Sequence, residues 1–225
     1  MRIKLTLRHF DPRLPFNHVN ELSSAIHRWI GNNSLHGMEY SCLNFGMLPD
    51  LAKQGESLRF KSETPEWWIG CWNEDMVSRL ISGIHKDSHL AFGVHVESVK
   101  VSKLPDLRNQ MKWFAESPII VRKKRGLGKP VEYIMFDHSE ASNLLRQSLL
   151  KRLSANAIEV NEDSVYVSFD RHYRGSKSKL IYVNNIGVRG SICPVKVDAP
   201  LIVQEFLWTS GIGANTGMGF GALKG

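Results

Sequence analysis

The apolar residues of this 225-residue chain change period repeatedly, and that limits the folds open to it. Alternation over 2–9 predicts a strand, because successive strand side chains point to opposite faces. After Pro12 and Pro15 the spacing shifts to about 3.6 residues. Val19, Leu22, Ala25, Ile26, Trp29 and Ile30 then form one stripe of a helix over 18–30. Asn17 is its expected N-cap, Glu21 lies in its first turn and Gly31 follows its end. Residues 40–48 and 57–72 read as extended, the second stretch broken near Pro65. Asn73 caps a second helix whose Met76, Val77, Leu80, Ile81 and Ile84 share a face, and 91–103 return to strand.

The resulting order, β-α-β-β-α-β, is that of a ferredoxin-like unit. A polar stretch carrying Pro105 and Pro118 follows, and the domain junction is expected there, dividing the chain into 1–115 and 116–225. The second pass is less regular. Strands are predicted near 118–123 and 131–136, and Ser139 opens a helix with Ala141, Leu144, Leu145, Leu149 and Leu153 inward. Further strands are predicted over 164–170, 178–184 and 188–197, then a helix from Asp198 and Pro200 to Gly211, then a short strand over 220–224. The fold class is α+β, with two ferredoxin-like (RRM-like) domains in tandem, although no internal sequence repeat marks the duplication.

Twenty-nine lysines and arginines against 22 acids give a formal charge of +7, and the pI is near 9.4. Such a balance favours polyanionic partners, nucleic acid first and an anionic membrane second. A hydrophobic fraction of 42% is enough to bury a core. No stretch approaches the roughly 18 apolar residues of a membrane span, and the N-terminal alternation is unlike a signal peptide. Cys42, Cys71 and Cys193 are widely separated, without zinc-ligand spacing or the makings of a disulfide framework. A reducing cytoplasm is the simplest setting, and no metal or other cofactor is expected.

Gly211, Gly213, Gly217, Gly219 and Gly221 fall within eleven residues. Glycine lets backbone approach a ligand closely and leaves N–H groups free to face phosphate. This segment follows a helix, so it is not the dinucleotide fingerprint, which follows a strand and opens a helix. It lacks the Gly-Lys-Ser/Thr ending of a P-loop. On spacing alone, a hairpin without a ligand remains open.

A helix, a glycine-rich loop ending Gly219-Phe220-Gly221 and a short C-terminal strand resemble the signature of the RAMP superfamily of CRISPR-associated RNA-binding proteins. Pro15-Phe-Asn-His18, Leu35-His36-Gly37 and Cys42-Leu-Asn-Phe-Gly-Met-Leu48 resemble its CRISPR repeat-processing endoribonucleases. The resemblance covers roughly 15–48 and 200–224. It implies two ferredoxin-like domains and metal-free cleavage of CRISPR precursor RNA within each repeat. The products it implies are a 5′-hydroxyl and a 2′,3′-cyclic phosphate, and the enzyme often stays bound to its product. Partners would be precursor and processed guide RNA, with other CRISPR effector subunits in some members. No membrane partner is implied, and the chain would act as a monomer or homodimer.

Metal-free RNA cleavage uses the substrate's 2′-hydroxyl as nucleophile. It needs a base, an acid for the departing 5′-oxygen, and positive charge around the phosphate. Histidine suits the first two tasks near neutrality. His27 lies beside Ser23 and Ser24 at the border of the first helix's apolar stripe, so it can project toward a groove. His36 follows in the next loop. By resemblance, His36 matches a catalytic histidine, and His27 a position held by tyrosine or histidine. Some relatives carry a lysine just after the loop histidine, but Gly37-Met-Glu-Tyr-Ser41 has none and adds Glu39. Arg28, Ser34, Tyr40 and Ser41 are the nearby groups that remain.

Two basic loops complete the site candidates. Arg122, Lys123, Lys124 and Arg125 end one predicted strand, and Arg171, Arg174, Lys177 and Lys179 surround Gly175 in a predicted hairpin. Loops of cations and glycines suit phosphate backbones. Tyr173 and Trp113 are candidates to stack on unpaired bases, although burial in packing suits Trp113, Trp67, Trp68 and Trp72 better. The main reading is therefore a metal-independent CRISPR repeat endoribonuclease. A non-catalytic RNA-binding subunit of the same superfamily and a generic ferredoxin-like nucleic-acid-binding module are the alternatives.

Overall fold

The structure is a computed structural model describing residues 1–31, 40–123, 131–183 and 186–225. The first half runs β1 (Arg2–Arg8), α1 (Val19–Ile30), β2 (Leu43–Phe45), β3 (Leu51–Gln54), β4 (Ser57–Phe60), β5 (Glu66–Cys71), α2 (Glu74–Lys86), β6 (His89–Ala91) and β7 (Val94–Val101). Its main sheet has the order β2-β5-β1-β7-β6 with antiparallel neighbours. The central pairs Ile3↔Ile69 and Leu5↔Trp67 put large apolar side chains on one face. All four are buried with the stripes of α1 and α2.

The second half runs β8 (Gln110–Ala115), β9 (Val121–Lys123), β10 (Glu132–Ile134), α3 (Ala141–Ala155), β11 (Tyr166–Phe169), β12 (Lys177–Val183), β13 (Ile186–Ile192), β14 (Val195–Asp198), α4 (Leu201–Ser210) and β15 (Leu223–Lys224). Its sheet has the order β11-β14-β8-β15. Without the inserted hairpins β3–β4, β9–β10 and β12–β13, and the added edge strand β6, each half is β-α-β-β-α-β. Each has its last core strand beside its first. Two ferredoxin-like folds in tandem therefore account for the chain.

Several boundaries differ from the sequence reading for identifiable reasons. The N-cap position of α1 is His18, not Asn17, and makes no side-chain cap. Helix α3 starts one residue after Glu140 rather than at Ser139. Asn73 does cap α2, its side chain accepting from the Met76 N–H at 3.0 Å. The run 188–197 divides at Cys193-Pro194 into β13 and β14, which join different sheets. Pro194 has no N–H to carry a ladder through. Strand β8 lies inside the stretch read as a polar junction. Its alternation buries Trp113 between exposed or half-buried neighbours, and the flanking prolines obscured that pattern. No described helix is long and apolar enough to cross a membrane.

The halves are joined by α4 and the segment after it, which pack on the face of the first sheet opposite α1 and α2. A side chain at Gly70 would meet the Thr209 carbonyl, so β5 is bare where α4 crosses it. Trp72 meets Phe206 edge-on at 5.6 Å, and the Ser210 hydroxyl donates to the Cys42 carbonyl at 2.7 Å. The buried Arg2 guanidinium lies 3.6 Å from the Trp68 ring centroid and 4.9 Å from that of Trp208, and donates to the Leu223 carbonyl at 2.7 Å. Burial pulls its pKa down to about 9, against the opposing influence of Glu116, so it stays charged near neutrality.

Candidate nucleic-acid interface

A groove of about 470 Å³ opens where the last turn of α1, the start of β2, strand β9, helix α3 and the glycine-rich segment meet. Helix α3 supplies Leu144, Gln147, Ser148 and Lys151, spaced i, i+3, i+4 and i+7 so that they share one face. Leu144, expected to face inward, is half-buried: it packs against the second core and also lines this groove. Strand β9 supplies Arg122 and Lys123, and the glycine-rich segment supplies Gly213 through Met218. His27 lines the groove from α1. One turn earlier, the Ser23 hydroxyl contacts the Gly217 carbonyl at 3.4 Å and the Met218 sulfur at 3.3 Å.

The floor is held by Arg152. This arginine is 2% exposed and has no carboxylate partner among the described residues. Its guanidinium donates to the carbonyls of Gly211 (2.7 Å), Ser210 (2.7 Å) and Ser41 (3.2 Å), and to the Thr216 hydroxyl (3.2 Å). Burial lowers its pKa to about 10, opposed by Cys42, which leaves it a cation at neutral pH. One charge thus ties α3 to the end of α4, to the glycine-rich turn and to the chain entering β2. Helical spacing sets Arg152 within the apolar stripe, i+7 from Leu145 and i+3 from Leu149, but its partners are more than 50 residues away in the chain and only the fold brings them to it.

The lining holds His27, Arg122, Lys123, Lys151 and Arg152, and no carboxylate among the described residues. Lys123 is partly neutralised by Glu140 at 2.8 Å, and the Arg122 side chain reaches the Asn215 oxygen at 3.5 Å. A cleft walled by one sign of charge attracts polyanions and focuses their approach.

Residues 102–224, more than half of the chain, match the family described as "CRISPR associated protein Cas6, C-terminal". The chain belongs to the Cas6 family. Among its relatives is the CRISPR-associated endoribonuclease-like protein Cas6nc of Pyrococcus horikoshii, 24% identical over all of this chain and 98% of its own. A Cas6-related protein of Pyrococcus furiosus shares the fold, with a TM-score of 0.86, 21% identity, and 100% and 97% of the two chains covered. A RAMP protein described as binding different RNA substrates does so with a TM-score of 0.84 at 22% identity over 100% and 98% of the chains.

The fold gathers some of the predicted site residues and separates others. His27, Arg122, Lys123, Gly213 and Gly217 share the groove. His36, Lys124 and Arg125 lie outside the described residues, as does Ser34. Tyr40 and Ser41 line the groove, whereas Arg28 is committed elsewhere, bonding Asp87 at 3.2 Å and the His89 carbonyl at 2.5 Å. Arg171, Arg174, Lys177 and Lys179 are exposed but do not line this groove. Arg171 bonds the His138 carbonyl at 2.7 Å. Lys179 lies near His18, whose pKa is lowered by burial and by that lysine against the effect of its bond to the Pro15 carbonyl. Trp113 is fully buried, its indole N–H bonded to Gln204 at 2.8 Å, while Tyr173 is exposed and meets Phe114 edge-on.

The glycines have a packing role visible only in three dimensions. Gly211, Gly213, Gly219 and Gly221 are buried. Gly211 and Gly221 both have positive φ, at 67° and 65°, and the Ile212 N–H donates to the Gly221 carbonyl at 2.9 Å. A Cβ at Gly221 would run into the Ile212 carbonyl oxygen, and one at Gly211 into the Asn44 amide. Left-handed backbone costs an L-residue about 1–2 kcal/mol and overpacking adds about 1–3. Gly221→Ala is therefore expected to lower stability by about 3 kcal/mol, read as a lower urea midpoint at unchanged m.

Proposed function

We propose that this Cas6-family chain binds CRISPR repeat RNA in the groove and cleaves it within the repeat without a metal ion. The observation that carries the proposal is the groove itself, where a histidine and four cations face one another without a described carboxylate. The first half supplies the proton-transfer groups and the second half most of the grip. One of His27 and His36 takes the 2′-hydroxyl proton as the 2′-oxygen attacks phosphorus. The other protonates the 5′-oxygen as the P–O5′ bond breaks. The products are a 2′,3′-cyclic phosphate and a 5′-hydroxyl.

Cations around the phosphate offset the charge that accumulates on its oxygens. With no lysine at 37–41, Arg122 and Lys151 are the groove cations placed to meet it, while Arg152 holds the floor. Gly213 and Gly217 make room for the Ile120 carbonyl and the Ser41 hydroxyl of the same chain, and so fix the turn that forms the groove's rim. Arg171, Arg174, Lys177 and Lys179, with Tyr173, form a second exposed basic surface suited to RNA beyond the cleavage position.

A second reading keeps the grip without the cut, as an RNA-binding subunit of a CRISPR effector complex. Two observations favour it: residues 37–41 hold no lysine and add Glu39, and the chain is similar to a RAMP protein described as binding RNA. Incubating labelled repeat RNA with the protein in EDTA, alongside an unrelated hairpin, separates the two. Cleavage of the repeat alone supports the nuclease, and tight binding without cleavage supports the second reading. Lys151→Ala is expected to weaken binding evenly across sequences and to reduce the slope of log affinity against log salt by about 0.7–0.9. A salt titration of wild type and variant measures both.

A further inference from the structure

Three sulfur atoms meet beneath the groove wall. Cys42 Sγ lies 3.7 Å from Cys71 Sγ and 3.9 Å from Met76 Sδ, and all three residues are buried. Cys71 closes strand β5, which is flanked on both sides by partners, whereas Cys42 immediately precedes β2, an edge strand of that sheet. Cys42, though only 2% exposed, also lines a separate open cavity of about 440 Å³ with Trp72, Asn73 and Asn156, which is the short approach for a small solute.

We propose that Cys42 and Cys71 form an oxidisable dithiol that peroxide-class oxidants close to a disulfide, reshaping the wall of the groove. Cys42 is the nucleophile. Hydrogen bonding with the Cys71 thiol, and secondarily from the Asn73 N–H, holds the Cys42 pKa below that of a free thiol despite burial, whereas Cys71 is raised by the same contact and by burial. The Cys42 thiolate attacks the peroxide O–O bond, forming a sulfenic acid and releasing hydroxide or alkoxide. Cys71 sulfur then attacks the sulfenic sulfur. The S–S bond forms, the S–O bond breaks, and the hydroxyl leaves as water with the Cys71 proton. The thiols lose two electrons and the peroxide gains them.

An S–S bond is about 2.05 Å long, so the sulfurs must approach by more than an ångström. Cys71 is held between strands, and the edge residue Cys42 moves more easily. Its neighbour Ser41 moves with it, and Ser41 both lines the groove and gives its carbonyl to Arg152 at 3.2 Å. Oxidation is therefore expected to weaken RNA binding at least threefold, an effect that rests on the RNA-binding reading. The bond also crosslinks positions 29 residues apart, and the melting temperature is expected to rise by about 5–10 °C.

The test treats the intact protein with hydrogen peroxide and follows thiol number, mass, melting and repeat-RNA affinity before and after dithiothreitol. The expected result is loss of two of the three thiols and about 2 Da of mass, with Cys193 still reduced and reversal by dithiothreitol. Cys71→Ser should stop at a Cys42 sulfenic acid that dimedone traps, and its melting temperature should not rise. Persistence of all three thiols under peroxide that oxidises a free-thiol control overturns the dithiol. So does a bond made by Cys193 or between two chains. A disulfide that forms without changing RNA affinity overturns the link to the groove. Failure of the reduced protein to bind RNA counts against the RNA reading and leaves the thiol result standing.

Discussion

Arg152→Met is expected to lower the free energy of unfolding by about 3 kcal/mol and to abolish tight RNA binding. Methionine fills the stem of the side chain but gives no donor to the Gly211, Ser210 and Ser41 carbonyls or to the Thr216 hydroxyl. Hydrogen bonds to a charged group contribute about 1.5–3 kcal/mol each, and buried acceptors left unpaired cost about 1–3. The desolvation cost of the buried guanidinium is recovered on its removal, which keeps the net loss near the figure given. The binding loss has a separate cause. Those acceptors lie in α4's end, the glycine-rich turn and the entry to β2, so losing Arg152 releases two walls of the groove and the helix end that supports them. Arg152→Lys is expected to recover little, since one ammonium cannot match the geometry of the guanidinium fork. Urea unfolding and RNA titration of both variants check this, and a stable Arg152→Met protein that still bound RNA tightly would contradict it.

The largest effect on catalysis is expected from His27→Ala. A positioned acid or base contributes typically 10²–10⁴-fold, and the cleavage rate at saturating RNA should fall within that range. Affinity should fall little, because Arg122, Lys151 and the glycine-rich rim remain in place. Single-turnover kinetics with protein in excess over RNA and far above the dissociation constant separates the two effects. A rate unchanged by His27→Ala would assign His27 to packing against the glycine-rich turn. His36→Ala is expected to act in the same direction.

Local periodicity revealed most of the fold. The apolar stripe of α1, the Asn73 cap and the alternation of β1 each express a rule that operates within a few residues. Boundaries failed where tertiary context decided them. Pro194 separates strands that enter different sheets, and β8 carries its single buried indole among exposed and half-buried neighbours between flanking prolines. The site was legible in part. His27 stood out because it interrupts an apolar stripe at its edge, and Arg122 because it belongs to a cationic run. Lys151 and Arg152 gave no such signal, since a basic pair near the end of a helix is ordinary. Their importance comes from the crossing of α3 with the end of α4 and the glycine-rich segment, a contact between residues about sixty positions apart. The glycines likewise announced close approach, and the fold shows that backbone and side chains of this same chain make that approach at Gly211 and Gly221.

Repeat RNA is expected to be cut in the groove by attack of its own 2′-hydroxyl, assisted by histidine. The most direct measurement is the chemistry of the new RNA ends after incubation with wild-type protein in excess EDTA. The expected fragments are an upstream piece ending in a 2′,3′-cyclic phosphate and a downstream piece beginning with a 5′-hydroxyl. Substrate carrying a 2′-deoxy sugar at the cut position should stay whole. Cleavage that appears only on adding a divalent cation, that leaves a 5′-phosphate, or that proceeds on the deoxy substrate would contradict the account.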